Sequence, residues 1–467
     1  MTDFRSPDLS PEPSSGNYSQ AHLTMLTSAE RNRMHRSSPA RWLTRGVGFA
    51  ALAFVLAACA PDAELNTRAD LAGPEAIQIE NFTTWILIVT YIVFALVMGA
   101  TLWAWAKFRI KTDDYEDDEF PAQVDHNTTA EILFNGVPIV ILVVVGFFTF
   151  LLHWELNGEP DVNPITVDVA GQSIDWEPEI VVVGQQWWWE YQYHFGDVEL
   201  TAQRVENLPN ADITTATQMV IPVGQEIELE VTSRDVIHSH WIPALNGKRD
   251  AVPGRQSAPW KIQADEPGVF FGQCTEFCGL SHSRMRMQVI ALEMPEFQAW
   301  VSAQMQGVAL DAETQAYVDQ LVAGDTPAPE NSSQRAVATF RGKCASCHLL
   351  EGVADDLWSA ERVAEQLVSG AAPNLTHFAS RTTFAGGIVN VYDPDTGDFN
   401  ENDLRAWLRN PADIKANFTE PVSADDPRLR GMPNLNLTTE EVDDLVGLLE
   451  AAGERPSDFI IQETGVE

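Results

Sequence analysis

Two long apolar runs constrain the fold of this chain more than any other feature. They cover residues 85–106 and 132–152, which makes them 22 and 21 residues long. A helix needs about 20 apolar residues to cross the hydrocarbon core of a bilayer. The sequence therefore predicts a transmembrane hairpin over residues 75–155, with buried helices of a large soluble protein as the alternative. Because the chain has 467 residues, further domains are expected.

The distribution of basic residues orients the predicted hairpin. Lys107, Arg109 and Lys111 follow the first run, and no Lys or Arg occurs again until Arg204. Basic residues prefer the cytoplasmic side of a membrane. The loop at 107–131 is therefore predicted to be cytoplasmic, and the chain after the second run extracytoplasmic.

The first 58 residues are predicted to be a disordered start followed by an export signal. Residues 1–40 are polar, and Arg45 precedes the short apolar stretch 46–58, a pattern typical of a secretory signal. Small residues directly before Cys59 resemble a bacterial lipobox, which implies that Cys59 becomes a lipid-modified N-terminus. An uncleaved free cysteine is the alternative.

The net charge of -38 argues against nucleic acid as a partner, because phosphates would be repelled. A solvated acidic surface, a cationic protein partner and adaptation to high salt all remain compatible with it.

Residues 162–300 are predicted to form a β domain. Short runs rich in β-branched residues, separated by Gly, Pro and Asp, indicate a sandwich or a Greek-key barrel. The runs are 179–183, 218–222, 226–232 and 287–292.

A set of sulfur and imidazole side chains lies near the end of this domain. Cys274, Cys278, His282 and Met285 occur within 12 residues, and His238 lies upstream. Thiolate and thioether are soft ligands, which points away from magnesium or calcium. Structural zinc is an alternative, but the thioether favours copper.

A second motif follows a Pro- and Ser-containing stretch at 303–332 that is predicted to be a linker. Cys344, Cys347 and His348 form Cys-x-x-Cys-His, the attachment signature of covalent haem c, in which the histidine is an axial ligand. A cytochrome domain is therefore predicted over residues 333–453.

The second axial ligand is predicted to be Met432 of an Arg-Gly-Met-Pro segment, with His377 as the rival. Arg381 and Trp407 are candidates for contacts with the haem propionates. The closing helix is predicted to begin at a capping box, Thr438-Thr-Glu-Glu441.

The spacing Cys-x-Glu-x-Cys-x-x-x-His-x-x-Met resembles the dinuclear CuA motif of cytochrome c oxidase subunit II. The resemblance covers residues 75–300 and implies a cupredoxin-like domain with two copper ions bridged by Cys274 and Cys278. The other copper ligands that it implies are His238, Met285, His282 and the backbone carbonyl of Glu276. The carboxylate of Glu276 would reach a magnesium or manganese ion at the boundary with subunit I.

Two further segments resemble this family. Gln186-Trp-Trp-Trp-Glu-Tyr191 departs from the usual pattern only at Trp188, and Trp187 corresponds to the aromatic residue that receives electrons; a packed aromatic cluster is the alternative. Glu131, seven residues before Pro138, corresponds to a residue at the mouth of a proton-uptake path, although a solvated loop carboxylate fits equally well.

Together the motifs resemble oxidases whose subunit II carries its own cytochrome c. The implied fold is a two-helix transmembrane hairpin, a cupredoxin-like Greek-key β-barrel and an all-α cytochrome c domain. The implied activity is electron transfer in a proton-pumping cytochrome c oxidase of the respiratory chain, in a bacterial inner membrane. Subunits I and III are the implied partners, and a bc-type complex or a cytochrome c is the donor. The alternatives are a membrane-tethered copper and haem electron-transfer protein outside any oxidase, and a nitrous oxide reductase, which ten histidines are too few to support.

Overall fold

Two long helices contain the apolar runs. They are α1 (Pro74–Lys107) and α2 (Thr128–Leu156) of a computed structural model that describes residues 71–109, 126–158, 160–169, 171–195, 211–255, 260–357, 372–418 and 430–464. The most apolar 18-residue segments of the two helices have mean hydropathies of 2.3 and 2.4. None of the residues in these segments is buried against the rest of the chain. Both helices are long and apolar enough to cross a membrane, as predicted.

Helix α1 begins eleven residues before the first apolar run. Its first turn is buried in the β domain, where Ala76 donates its amide to Leu245 O and the carboxylate of Glu75 lies 3.4 Å from Lys261 Nζ. Pro74 occupies the first helical position, where no backbone donor is needed. The early start of α1 therefore attaches the hairpin to the β domain.

The β domain is built from twelve strands among the described residues. They are β1 Ile165–Val169, β2 Gln172–Trp176, β3 Glu179–Gln185, β4 Trp188–Tyr193, β5 Ile213–Ala216, β6 Gln218–Pro222, β7 Ile227–Ser233, β8 His238–Trp241, β9 Lys248–Ala251, β10 Trp260–Ile262, β11 Gly268–Gln273 and β12 Arg286–Leu292. A five-stranded sheet has the order β10-β7-β3-β4-β5, and a three-stranded sheet has the order β11-β12-β6. Val182 and Leu229 of the first sheet share one core with Ile221 and Val289 of the second. The predicted β domain is therefore present, and its two larger sheets pack on one core.

The C-terminal module is mainly helical. Its elements and the helix that leads to it are α3 Met294–Gln304, α4 Ala312–Val322, α5 Ser332–Thr339, β13 Thr383–Phe384, β14 Val389–Asn390, α6 Glu401–Arg409, α7 Pro411–Ile414, α8 Thr439–Glu450 and α9 Asp458–Glu463. Helix α8 begins at the predicted capping box, in which Thr438 and Glu441 satisfy each other's backbone amides. It packs on α5, and the paired charges of Arg335 and Asp444 join the two helices at 2.8 Å.

The segment 303–332 differs from the linker that the sequence predicts. Helix α4 lies within it, with Asp311 as its N-cap, and Tyr317 and Val318 are buried in the core of the C-terminal module. The Pro and Ser residues that suggested a linker all lie after α4: Pro327 and Pro329 stand in the loop before α5, and Ser332 begins α5. The module also extends beyond residue 453, because Ile461 of α9 is buried in the same core.

Candidate metal centre and adjoining cavity

The loop between β11 and β12 brings the predicted sulfur and imidazole ligands together. Cys274 Sγ lies 3.8 Å from Cys278 Sγ and 3.9 Å from Nδ1 of His238, the first residue of β8. Cys278 Sγ in turn lies 3.5 Å from His282 Nδ1 and 3.8 Å from Met285 Sδ. The cysteines are free and buried. Two thiols, two imidazoles and a thioether facing one another fit a copper centre better than a hard cation.

Backbone contacts hold this loop closed. The amide of Cys274 donates to Met285 O at 2.9 Å, and Glu276 O lies 3.2 Å from Cys274 Sγ. Gln186 Nε2 and Trp187 Nε1 both donate to Cys278 O, at 2.6 and 3.0 Å. The carboxylate-bearing residue Glu276 is exposed, so its side chain is accessible to a partner.

The orientation of His238 depends on two residues that the motif does not contain. Asp235 Oδ1 lies 2.8 Å from His238 Nε2, which directs Nδ1 toward the sulfurs. Gly184 leaves the room for the ring, because a Cβ there would lie 2.7 Å from His238 Cδ2. Burial lowers the pKa of His238, but the hydrogen bonds to Asp235 and Cys274 outweigh it and raise that pKa overall.

The two cysteine sulfurs influence each other's ionisation. The contact with Cys278 lowers the pKa of Cys274, and the reciprocal contact raises the pKa of Cys278. Both sulfurs must be deprotonated before they can act as thiolate ligands.

A cavity of about 760 Å³ lies in the C-terminal module, and its size is typical of a cofactor site. Cys344, Cys347 and His348 line it together with apolar side chains such as Phe340 and Leu445. His348 Nδ1 lies 2.8 Å from Pro373 O, which leaves Nε2 free. Burial lowers the pKa of His348 and favours the neutral imidazole that a metal requires. These residues fit a covalently attached haem c.

Of the two candidates for the second axial ligand, Met432 lines this cavity and His377 does not. The backbone carbonyl of Met432 accepts a hydrogen bond from Asn417 Nδ2 at 3.0 Å. His377 Nε2 instead contacts Gln304 O at 2.8 Å, at the end of helix α3.

Arg381 and Trp407 also line the cavity, as expected of groups that would contact a haem. Arg381 is buried and donates to Asn374 O, and burial lowers its pKa to about 10. Its guanidinium is therefore still charged at neutral pH and could pair with a propionate.

The same cavity is bounded by the β domain. Trp187 and Trp188 form part of its wall, and both side chains are almost completely buried. Since Trp187 Nε1 donates to the carbonyl of Cys278, one indole ring contacts the backbone of the ligand loop and borders the cavity.

Two predicted functional residues are not among the described residues of the metal centre or the cavity. Glu131 is exposed in the first turn of α2, where its carboxylate accepts the amide of Asn127 at 3.3 Å. This contact gives Glu131 a role at the helix N-terminus. Cys59 lies outside the described residues.

Sequence reasoning missed Asp235, Gly184, Lys415 and Arg430. Asp235 stands three residues before His238, a spacing that could have suggested a carboxylate partner for the imidazole. Lys415 and Arg430 contact the backbone or side chain of the 186–187 segment from the C-terminal module. No local pattern marks such contacts, because they join distant parts of the chain.

Comparisons with known proteins match the same regions. A family model described as the periplasmic domain of cytochrome c oxidase subunit II matches residues 179–292, and one described as the transmembrane domain of that subunit matches residues 63–152. Cytochrome c oxidase subunit 2 of Alkalihalophilus pseudofirmus is 31% identical over 377 residues, which cover 80% of this chain and 90% of that protein. The subunit of Cereibacter sphaeroides is 32% identical, covering 49% and 77%.

Among solved structures, the periplasmic domain of subunit II of cytochrome oxidase of Bradyrhizobium japonicum is 35% identical. It covers 27% of this chain and 91% of that domain, with a TM-score of 0.21. The Alkalihalophilus match covers too much of the chain to end at residue 292. It therefore extends into the C-terminal module.

Proposed function

The chain belongs to the cytochrome c oxidase subunit II family, and on this premise we propose that it relays electrons from a haem c of its own, through a dinuclear copper centre, to the oxygen-reducing subunit. As a family member it works in a membrane, with a periplasmic domain, as part of an oxidase complex.

The copper centre would be held by the residues that converge between β8, β11 and β12. Cys274 and Cys278 would hold the copper as thiolates, after both have lost their thiol protons. The other ligands would be His238, Met285, His282 and the carbonyl of Glu276. When bound, a copper pair supplies a one-electron couple in a rigid site. Asp235 would keep His238 in the required orientation.

The haem would be attached through Cys344 and Cys347, and His348 and Met432 would hold its iron. When bound, the haem supplies a second one-electron couple. The contact of His348 with Pro373 O supports this assignment, since it fixes the ring and leaves one nitrogen for iron. Arg381 would hold a propionate and exclude water from that edge of the cavity.

The observation that carries the proposal is the position of Trp187. Its indole donates to the carbonyl of Cys278 and borders the cavity that contains Cys344, Cys347 and His348. Trp187 would therefore provide a direct aromatic contact between the two cofactor sites. Because Trp187 belongs to both sites, an electron could pass between them without movement of either domain.

The remaining roles concern the partners. Subunit I would reduce oxygen to water and pump protons, with Glu131 at the mouth of one of its proton paths and Glu276 at a shared magnesium or manganese ion. Subunit III, and a bc-type complex or a cytochrome c as electron donor, complete the proposed assembly in a bacterial inner membrane.

Purification of the chain from its native membrane tests the proposal. We expect copper by metal analysis, a haem c band in the reduced-minus-oxidised spectrum and haem-containing subunit I in the same complex. Zinc in place of copper would contradict the copper assignment, and a purified chain without subunit I would contradict its role as an electron relay to that subunit.

A further inference from the structure

Lys415 joins the C-terminal module to the β domain at the residue that borders both cofactor sites. It directly follows helix α7, and its Nζ donates to Trp187 O at 2.6 Å and to Ala385 O at 2.8 Å. The side chain is buried and forms part of the cavity wall. One ammonium group therefore connects the backbone on either side of the domain boundary.

The backbone around Lys415 is shaped to admit the ammonium group. Ala385, Gly386 and Gly387 all have positive φ angles, of 54°, 76° and 81°, a conformation that favours glycine. A Cβ on Gly386 would lie 2.0 Å from Lys415 Nζ and 2.6 Å from Trp187 O. The turn at 385–387 thus approaches the 187 carbonyl closely only because a glycine stands at 386.

Burying the Lys415 side chain costs more free energy than burying an apolar side chain in the same space. Among the residues that the structure describes, no carboxylate forms an ion pair with it, and burial lowers its pKa to about 7. A buried charge without a counter-ion is unfavourable, and an apolar side chain of similar length would avoid that cost. What an apolar side chain cannot do is donate to two carbonyls at once.

Other polar contacts cross the same boundary beside Lys415. Arg284 donates to Ile414 O and Ser281 donates to Ala416 O, so the residues on both sides of Lys415 contact the ligand loop. Arg430 Nε donates to Gln186 Oε1 at 2.9 Å. These contacts surround Trp187 on the side of the C-terminal module.

We propose that Lys415 is a positioning residue: by holding the 187 carbonyl and the 385–387 turn together, it keeps the haem cavity at a fixed distance from the copper ligands. The inference rests on the proposed function, in which one electron lost at the haem is gained at the copper pair. No bond is made or broken in that step. The distance between the two sites is therefore what this chain can control.

The test compares the complex containing the native chain with Lys415→Met and Gly386→Ala complexes. Lys248→Met is the matched control, since it removes an exposed lysine of β9. Hydrogen exchange of the Arg286 amide, which donates to Gly386 O at 3.0 Å, reports the docking without any electron transfer. We expect about tenfold faster exchange in both test variants and no change in the control.

Flash reduction of the haem then measures electron transfer to copper. In the native complex the rate should be independent of viscosity. In Lys415→Met and Gly386→Ala the rate should fall about tenfold or more, since misplacement by an ångström is costly. It should also become viscosity-dependent, while both optical spectra stay native. A merely structural role for Lys415 would not introduce that viscosity dependence.

Native exchange and a native rate in either assembled test variant would overturn the positioning role. If Lys415→Met does not assemble, Gly386→Ala alone decides, because it retains the lysine. A native complex without haem or copper bands would instead refute the proposed function, and the exchange of the Arg286 amide would still decide whether Lys415 fixes the module.

Discussion

Replacing Asp235 by Asn tests whether a residue outside the ligand set controls the metal centre. The Asp235 carboxylate accepts three hydrogen bonds: Oδ1 contacts His238 Nε2 at 2.8 Å and the Val236 amide at 2.7 Å, and Oδ2 accepts the Gln186 amide at 2.7 Å. Asn has almost the same shape but only one oxygen. Whichever way its amide is turned, an NH₂ group must face at least one of these donors.

The less costly orientation keeps oxygen toward His238 and turns the NH₂ group toward the Gln186 amide. Leaving one buried donor without a partner costs about 1 to 3 kcal/mol. Loss of the negative charge also weakens the bond that orients the imidazole, and such changes typically lower metal affinity about 10- to 100-fold. At about 1.4 kcal/mol per factor of ten, the loss of affinity corresponds to about 1.4 to 2.8 kcal/mol of copper binding, whereas the unpaired Gln186 amide lowers the stability of the fold with or without copper.

Copper titration against a competing chelator measures the effect. The near-infrared copper band of a copper-depleted complex should return at about 10- to 100-fold higher free copper in Asp235→Asn than in the native chain, because the His238 imidazole is held less firmly. Asp250→Asn, an exposed position in β9, should behave as the native chain does. Copper affinity within twofold of native in an intact Asp235→Asn complex would refute the proposed control by Asp235.

Three further substitutions test the copper ligands, the second haem ligand and the packing around helix α8. Cys278→Ser should abolish the near-infrared copper band and leave the haem c spectrum unchanged, whereas loss of both would mean that the two cofactors share one site. Met432→Ala should leave the haem covalently attached but lower its midpoint potential, because an axial methionine raises it; an unchanged potential, together with a changed one in His377→Ala, would assign His377 instead. Gly447→Ala in helix α8, where a Cβ would meet nothing within 4 Å, should stabilise the module by about 0.5 to 1 kcal/mol; a lower thermal unfolding midpoint would contradict the open environment of Gly447.

The convergence of the Cys274–Met285 side chains and the grouping of Cys344, Cys347 and His348 could be predicted because both are local in sequence. Cys274 to Met285 form one loop between two adjacent strands, so their spacing alone limits how far apart the side chains can lie. Cys344 to His348 occupy a single turn. The apolar runs are equally local, since crossing a bilayer depends only on length and composition. The motifs and the spans therefore followed from short stretches of residues.

The sequence patterns did not reveal how the domains meet. Every residue of strand β6 is buried, although alternating burial is the usual pattern for a strand with one solvated face. At its first residue, Gln218, the cover comes from Thr382 of the C-terminal module. The contact of Lys415 with Trp187 joins residues 228 positions apart. Helix α4 was missed for the related reason that the residues which bury Tyr317 and Val318 lie elsewhere in the chain.

The sequence by itself thus determined which ligands are available, where the chain can enter a membrane and which cofactors its motifs suit. Only the tertiary structure decided that Trp187 contacts the carbonyl of Cys278 and also lines the cavity of Cys344 and His348. It likewise placed Lys415 and Gly386 against Trp187, and Asp235 against His238. The physical reason is that ligand chemistry is a property of side-chain type and short spacing. The distance between two sites, in contrast, depends on contacts between surfaces that fold separately and then pack.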